Sequence, residues 1–197
     1  MAIAITVSAM ISTVVSVHLL TILQLRDIGL AAAVALGALV GPTQVAARAI
    51  EMLISRYHHP LCTMLAATIF VTIGVGVLWA GLPIVAAALV FYGAGIGIES
   101  IARATVPLAV FGHARYAAIM GRIAMPSLIA QAAAPSLGAM LMERFGAGVT
   151  LGALFATAVT NVAIVIALFG LLLRQKVQSP QDSVASANPC LVTVLFV

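Results

Sequence analysis

The chain has 197 residues, of which 63% are hydrophobic and only 7% are charged, and its formal net charge is +4. An ordinary soluble domain carries roughly 25% charged residues. Together with the mean hydropathy of +1.23, these figures argue against a water-soluble enzyme, a nucleic-acid-binding protein or a disordered region, and they predict an all-α polytopic membrane protein.

Six apolar stretches are long enough to cross a bilayer, which takes about 20 residues of helix. The predicted spans are 3–24, 28–51, 61–80, 83–102, 117–141 and 147–173. They predict one six-helix bundle over residues 1–176. The first Lys or Arg is Arg26, so the N-terminal stretch does not have the basic region of a cleaved signal peptide.

Residues 177–197 form a polar tail with a short apolar end that begins at Cys190. This end is either an interfacial or aggregation-prone segment or the product of an altered reading frame. Cys62 and Cys190 form no recognisable metal or disulfide motif, so the sequence does not indicate a redox compartment.

The basic residues predict the orientation of the spans, because cytoplasmic loops of membrane proteins are enriched in Lys and Arg. Alternate loops collect most of the basic residues on one side of the membrane, which is the predicted cytoplasmic side. The opposite side holds only Arg26 and Arg144, each beside an acidic residue. Both termini are therefore expected to face the cytoplasm. The seven basic residues on the predicted cytoplasmic side are Arg48, Arg56, Arg103, Arg115, Arg122, Arg174 and Lys176.

Glycine and proline positions predict how the spans pack and where they are interrupted. The pairs Gly37/Gly41, Gly93/Gly97 and Gly148/Gly152 have the GxxxG spacing that lets helices approach closely in lipid. Gly41-Pro42 is expected to interrupt span two. Pro126 and Pro135 are expected to interrupt span five. These positions correspond if the two sets of three spans are inverted repeats, an arrangement typical of secondary carriers.

Charged residues within the spans define a candidate cytoplasmic gate network. Its members are Arg48, Glu51, Glu99, Arg103 and Arg122. Either each is an interfacial charge satisfied by water or phospholipid, or together they form a breakable ion-pair network that holds spans two, four and five in one transport state. Glu51 and Glu99 are also candidate proton carriers.

Near mid-depth four polar side chains define a candidate transport path: His18, Gln44, Gln131 and Asn161. They would either hydrogen-bond a polar solute or form hydrogen bonds between helices. Histidine ordinarily titrates near neutral pH, so His18 would suit proton coupling, although a structural role is the alternative.

The sequence contains no HExxH, GxSxG, P-loop or GxGxxG motif and no Cys/His metal cluster. We therefore expect neither catalysis nor a cofactor.

Several strings resemble the C-terminal half of bacterial carriers of the major facilitator superfamily, in an efflux-permease-like branch. Residues 41–51 resemble the eighth helix of these carriers, residues 92–112 the tenth helix and the loop after it, and residues 116–146 the eleventh. His18-Leu-Leu fits the seventh. On this match Gln44, Arg48 and Glu51 belong to the helix-eight motif, and Arg103 and Arg122 to the basic positions of helices ten and eleven.

The resemblance implies a twelve-helix carrier of which this chain supplies helices seven to twelve, without the Gly-x-x-x-Asp-Arg-type loop motif of the first half. The expected function is secondary transport of a small solute across a bacterial inner membrane. It would require a partner six-helix half, and the chain alone is not expected to be active. The alternative is a non-transporting six-helix scaffold or regulatory subunit.

Overall fold

The computed structural model describes residues 2–111 and 116–178, and these residues form helices and short connections without any β-strand. A 3-10 turn at Ser55–Tyr57 connects the third helix to the fourth. In the hydrocarbon core of a bilayer, a helix satisfies every backbone N–H and C=O within its own segment, which explains why so apolar a chain is helical. The helices are α1 (Ala2–Gln24), α2 (Leu30–Ala38), α3 (Val40–Ile54), α4 (Pro60–Trp79), α5 (Val85–Phe111) and α6 (Tyr116–Gln178).

Five helical segments of the described residues, rather than the predicted six, are long and apolar enough to cross a membrane. The expected count of six is wrong because predicted spans five and six belong to one element, α6. Within α6 the backbone leaves the helical region at Gly146, with φ 78° and ψ 168°. Glycine adopts this conformation without steric cost, so α6 consists of two helical segments that meet at a kink, at the place where the sequence predicted a break. The five segments are Ala2–Gln24, Leu30–Tyr57, Pro60–Trp79, Val85–Val110 and Met120–Leu171.

Two further breaks depend on residues in the left-handed region. Asp27 (φ 59°) ends the turn after α1, and Gly81 (φ 71°) lies between α4 and α5. Aspartate is one of the few non-glycine residues enriched in this conformation. The fourth helix begins at Pro60, whose missing N–H costs nothing at the first helical position. The predicted break at residues 113–115 lies outside the described residues.

The prolines interrupt only one of the two predicted spans. The helix of span two is divided at Leu39, between α2 and α3, and Pro42 then occupies the first turn of α3. In contrast, α6 continues through Pro126 and Pro135. The expectation of matching interruptions in spans two and five is therefore wrong, because neighbouring helices can satisfy the backbone groups that a proline releases.

The main core combines α1, α4, α5 and α6. Its fully buried side chains include Ile22, Leu78, Leu89 and Tyr92. Many large apolar side chains are nevertheless exposed, particularly on α3 and on the first part of α6. An apolar surface of this extent requires lipid or another protein surface to cover it.

Glycines bring α5 into direct backbone contact with two helices. A Cβ atom on Gly97 would lie 2.5 Å from the carbonyl oxygen of Gln44 in α3. On the other side of α5, a Cβ atom on Gly95 would lie 2.7 Å from the backbone nitrogen of Val71 in α4. The predicted close approach at Gly93/Gly97 is therefore confirmed. Gly41 and Gly148 have no neighbouring atom within 4 Å of such a Cβ atom.

We expect Gly97→Ala to lower the thermal stability of the protein in lipid nanodiscs. The added methyl group would overlap the α3 backbone, and overpacking of this kind costs about 1–3 kcal/mol. Gly148→Ala is the matched control, because its methyl group meets open space and alanine favours the helix. The measurement is the fraction of monodisperse protein that survives heating. Equal survival of the two variants would contradict the close α3–α5 packing.

Candidate functional site

A polar cavity of about 430 Å³ lies among α1, α3, α5 and the first part of α6. Small-molecule sites typically have volumes of roughly 300–1,000 Å³. Ser16, Val17 and Arg48 on its rim are exposed, so the cavity opens to the surroundings of the chain. The lining residues are Ala9, Ser12, Thr13, Ser16, Val17, Arg48, Ile96, Glu99, Ser100, Arg103 and Gln131.

An ion pair between Glu99 and Arg103 forms one wall of the cavity. Both Nε and Nη2 of Arg103 donate to Oε1 of Glu99, at 3.0 and 2.7 Å. The two residues are one helical turn apart on α5, a spacing at which side chains meet. Glu99 is only 5% exposed. Because a buried carboxylate needs a partner, Arg103 provides the compensating charge beside Glu99.

The position of this pair differs from the prediction. The sequence placed Glu99 and Arg103 at the end of a span that closes at residue 102, whereas α5 continues to Phe111. The ion pair therefore lies inside the helix, not at its end. Pro107 lies within α5 and does not end the helix.

Hydroxyl groups of α1 and α5 extend the polar wall. The Tyr92 hydroxyl donates to the carbonyl oxygen of Ser12 at 2.9 Å and lies 3.3 Å from Oγ of Ser16. Tyr92 itself is fully buried, so it positions the α1 wall rather than facing a solute.

Arg48 and Gln131 complete the cavity from opposite helices. Arg48 of α3 forms no ion pair or hydrogen bond within the described ranges. The amide nitrogen of Gln131 donates to Ser127, to both its carbonyl oxygen and its Oγ, each at 3.1 Å. This leaves the amide oxygen of Gln131 available as an acceptor, whereas Arg48 is entirely a donor.

Glu51 belongs to a separate cluster at the junction of α3 and α4. It accepts a hydrogen bond from Oγ1 of Thr63 at 2.6 Å, and Nε2 of His58 lies 3.5 Å from the same carboxylate oxygen. Glu51 is 8% exposed. The predicted gate residues thus form two groups, Glu51 with α4 and Glu99–Arg103 at the cavity.

Sequence reasoning did not identify His58 and Thr63 as partners of Glu51. His58 lies in the break between predicted spans two and three, and Thr63 lies in an apolar helix, so neither position indicates a partner for Glu51 by its sequence context. The signal that could have found them is the short connection from α3 to α4, which forces the two helix ends together.

Two other predicted site residues lie apart from these contacts. Arg122 is exposed near the start of α6 and forms no ion pair with any described residue. Gln44 contributes its main chain, since its carbonyl oxygen packs against Gly97. Neither residue lines the polar cavity.

His18 and Asn161 both form contacts between α1 and α6. Nε2 of His18 lies 3.1 Å from the carbonyl oxygen of Pro135, and a Cβ atom on Gly138 would lie 2.7 Å from the same ring. Nδ2 of Asn161 donates to Oγ of Ser8 at 2.8 Å. Of the four predicted path residues, the structure places Gln131 at the polar cavity and the other three away from its lining.

A second groove, of about 330 Å³, has a different chemistry. Its walls come from α4 and the last part of α6, and six of its seven lining residues are apolar. The exception, Thr72, donates its hydroxyl to the carbonyl oxygen of Thr68 in its own helix. The side chains that line this groove therefore offer no free hydrogen-bond donor. Its lining is Ile69, Thr72, Ile73, Val159, Val162, Ala163 and Ile166.

The comparisons with known proteins assign no family to this geometry. No protein-family model, curated protein or solved structure matches the chain. What the structure defines is a class: over residues 2–111 and 116–178 the protein is helical, with five segments compatible with multiple membrane crossings and a polar cavity among them.

Proposed function

We propose that the chain is the C-terminal half of a secondary active transporter of the major facilitator type, and that the polar cavity is its part of the path for a small solute. The observation that carries this proposal is the cavity itself: an ion pair, a free arginine and an amide at one opening between apolar helices. Intramembrane charges that face a cavity are typical of transport pathways.

The different chemistry of the two recesses supports this proposal. The polar cavity is lined by α1, α3, α5 and the first part of α6, whereas the apolar groove is lined by α4 and the last part of α6. A half-carrier needs this asymmetry, because one face meets the solute and the other meets lipid. A chain surrounded by lipid on all sides would gain nothing from Arg48 and Glu99 at one shared opening.

The proposed partner is a second six-helix half that closes over the open cavity. Exposed apolar side chains such as Val17 on α1 and Met125 and Leu128 on α6 provide the surface for this contact. Transport would then proceed by rocking of the two bundles around the cavity. We place the complex in a bacterial inner membrane with both termini of this chain in the cytoplasm, and we propose Glu99 and Glu51 as the groups to test for proton coupling.

The second candidate is a non-transporting helical scaffold or regulatory subunit. The interhelical hydrogen bonds of His18 and Asn161 favour it, since they stabilise a fixed bundle. The two candidates differ in what they require: a scaffold needs no solute path, whereas a half-carrier needs a partner that completes one.

The partner half can be sought directly. We expect an adjacent upstream reading frame to encode six further helices with the Asp-Arg loop motif, and its product to co-purify with this chain in mild detergent. An intact upstream region that encodes nothing of this kind, with no co-purifying helical protein, would favour the scaffold.

A further inference from the structure

The net charge of the side chains that line the polar cavity is positive, and this charge bears on the chemistry of the solute. Three charged side chains line it: Arg48, Glu99 and Arg103. The carboxylate of Glu99 is already engaged by Arg103 at 2.7 Å. Arg48 has no acidic partner among the described residues, so the lining carries one unbalanced positive charge.

Two hydroxyl groups of the cavity already donate within their own helices. Oγ1 of Thr13 donates to the carbonyl oxygen of Ala9, and Oγ of Ser100 donates to that of Gly97, so neither hydroxyl hydrogen is free. The charged donors that remain free belong to Arg48 and to the part of the Arg103 guanidinium that does not face Glu99, and the amide oxygen of Gln131 is a free acceptor beside them. A guanidinium presents parallel N–H donors that match a carboxylate or a phosphate.

The rest of the lining is apolar or weakly polar. Ala9, Val17 and Ile96 contribute hydrocarbon surface beside the two arginines. A ligand that matches both the arginines and the apolar surface of the cavity combines an anionic group with an apolar body. A cation would face Arg48 without compensation, and a neutral solute would gain no ion pair with its guanidinium.

We infer that the cavity binds amphipathic organic anions, with Arg48 as the principal contact for the anionic group. This inference rests on the proposed function, since it names the solute class of the same cavity. It makes Arg48 a determinant of specificity and leaves Arg103 to hold Glu99.

The test is equilibrium binding of 1-naphthoate to the full chain in lipid nanodiscs, with 1-naphthamide as a neutral probe of nearly the same shape and empty nanodiscs as background. We expect naphthoate to bind at least about tenfold more tightly than naphthamide. Arg48→Gln is expected to remove this difference. Arg144→Gln is the matched control, because Arg144 is exposed and does not line the cavity, and it should bind naphthoate like the parent chain.

Equal binding of the two probes to the parent chain, or unchanged naphthoate binding by Arg48→Gln, would overturn the inference. The proposed function fails in a different way. If naphthoate binds but no solute passes through the reassembled carrier, the inferred anion site is supported and the proposed transport function is contradicted. If neutral or cationic solutes are transported but naphthoate does not bind, the proposed transport function is supported and the inferred anion site is contradicted.

Discussion

Arg103→Ala is expected to reduce transport by the two co-expressed halves strongly while the protein still inserts into the membrane. The substitution leaves the carboxylate of Glu99 buried at 5% exposure without the partner that now donates to it twice. Removing one member of a buried ion pair costs about 3–5 kcal/mol. We expect the lower end of this range, because the Arg103 side chain is 31% exposed. Flux should fall by about tenfold or more.

A double substitution separates stability from function. Glu99→Gln together with Arg103→Gln removes both charges, so the buried carboxylate no longer needs compensation. We expect the double variant to regain most of the thermal stability lost in Arg103→Ala but not its transport. Arg144→Ala, at an exposed position outside the cavity, should change neither the thermal stability nor the transport rate. Normal flux by Arg103→Ala in vesicles would contradict a transport role for the ion pair.

Filling the cavity is expected to have the second large effect. Ser16 lies on the exposed rim of the cavity, and its Oγ is 3.3 Å from the Tyr92 hydroxyl. Ser16→Trp introduces the bulkiest natural side chain there without burying it in the core. We expect solute flux to fall by about tenfold or more, with little change in thermal stability, because surface substitutions usually stay within about 0.5 kcal/mol.

Ser16→Ala is the matched control for the tryptophan variant. It removes the contact with Tyr92 but leaves the stronger hydrogen bond from Tyr92 to the Ser12 carbonyl oxygen in place. We expect it to retain most of the parent flux. If Ser16→Trp transports as well as Ser16→Ala, the cavity is not the solute path.

The helices were largely predictable because hydropathy records them directly. Predicted spans 3–24 and 61–80 agree with α1 and α4 to within one residue at each end. The count was not predictable, since the chain changes direction at the single residue Gly146 and no longer connection separates the two helical segments of α6. The extension of α5 past residue 102 was also missed, because a proline followed by small and apolar residues resembles a loop as much as a membrane helix.

The candidate site was predictable only where its contacts are local. Glu99 and Arg103 are one turn apart, so the i, i+4 spacing sufficed. The separation of Glu51 from this pair depends on how α3 packs against α4 and α5, which one sequence does not specify. The same holds for Ser16 and Tyr92, whose contact joins residues far apart in the chain. The transport role of these residues remains a prediction.

The central claim is that a partner half and the polar cavity together form a solute path, and flux into proteoliposomes tests it most directly. The vesicles would contain this chain alone, the partner half alone, both, or both with Ser16→Trp. The solutes would be 1-naphthoate with matched neutral and cationic compounds. We expect at least one solute to accumulate only when both halves are present and the cavity is unobstructed. Flux no faster than in protein-free vesicles, or equal flux with Ser16→Trp, would contradict the claim.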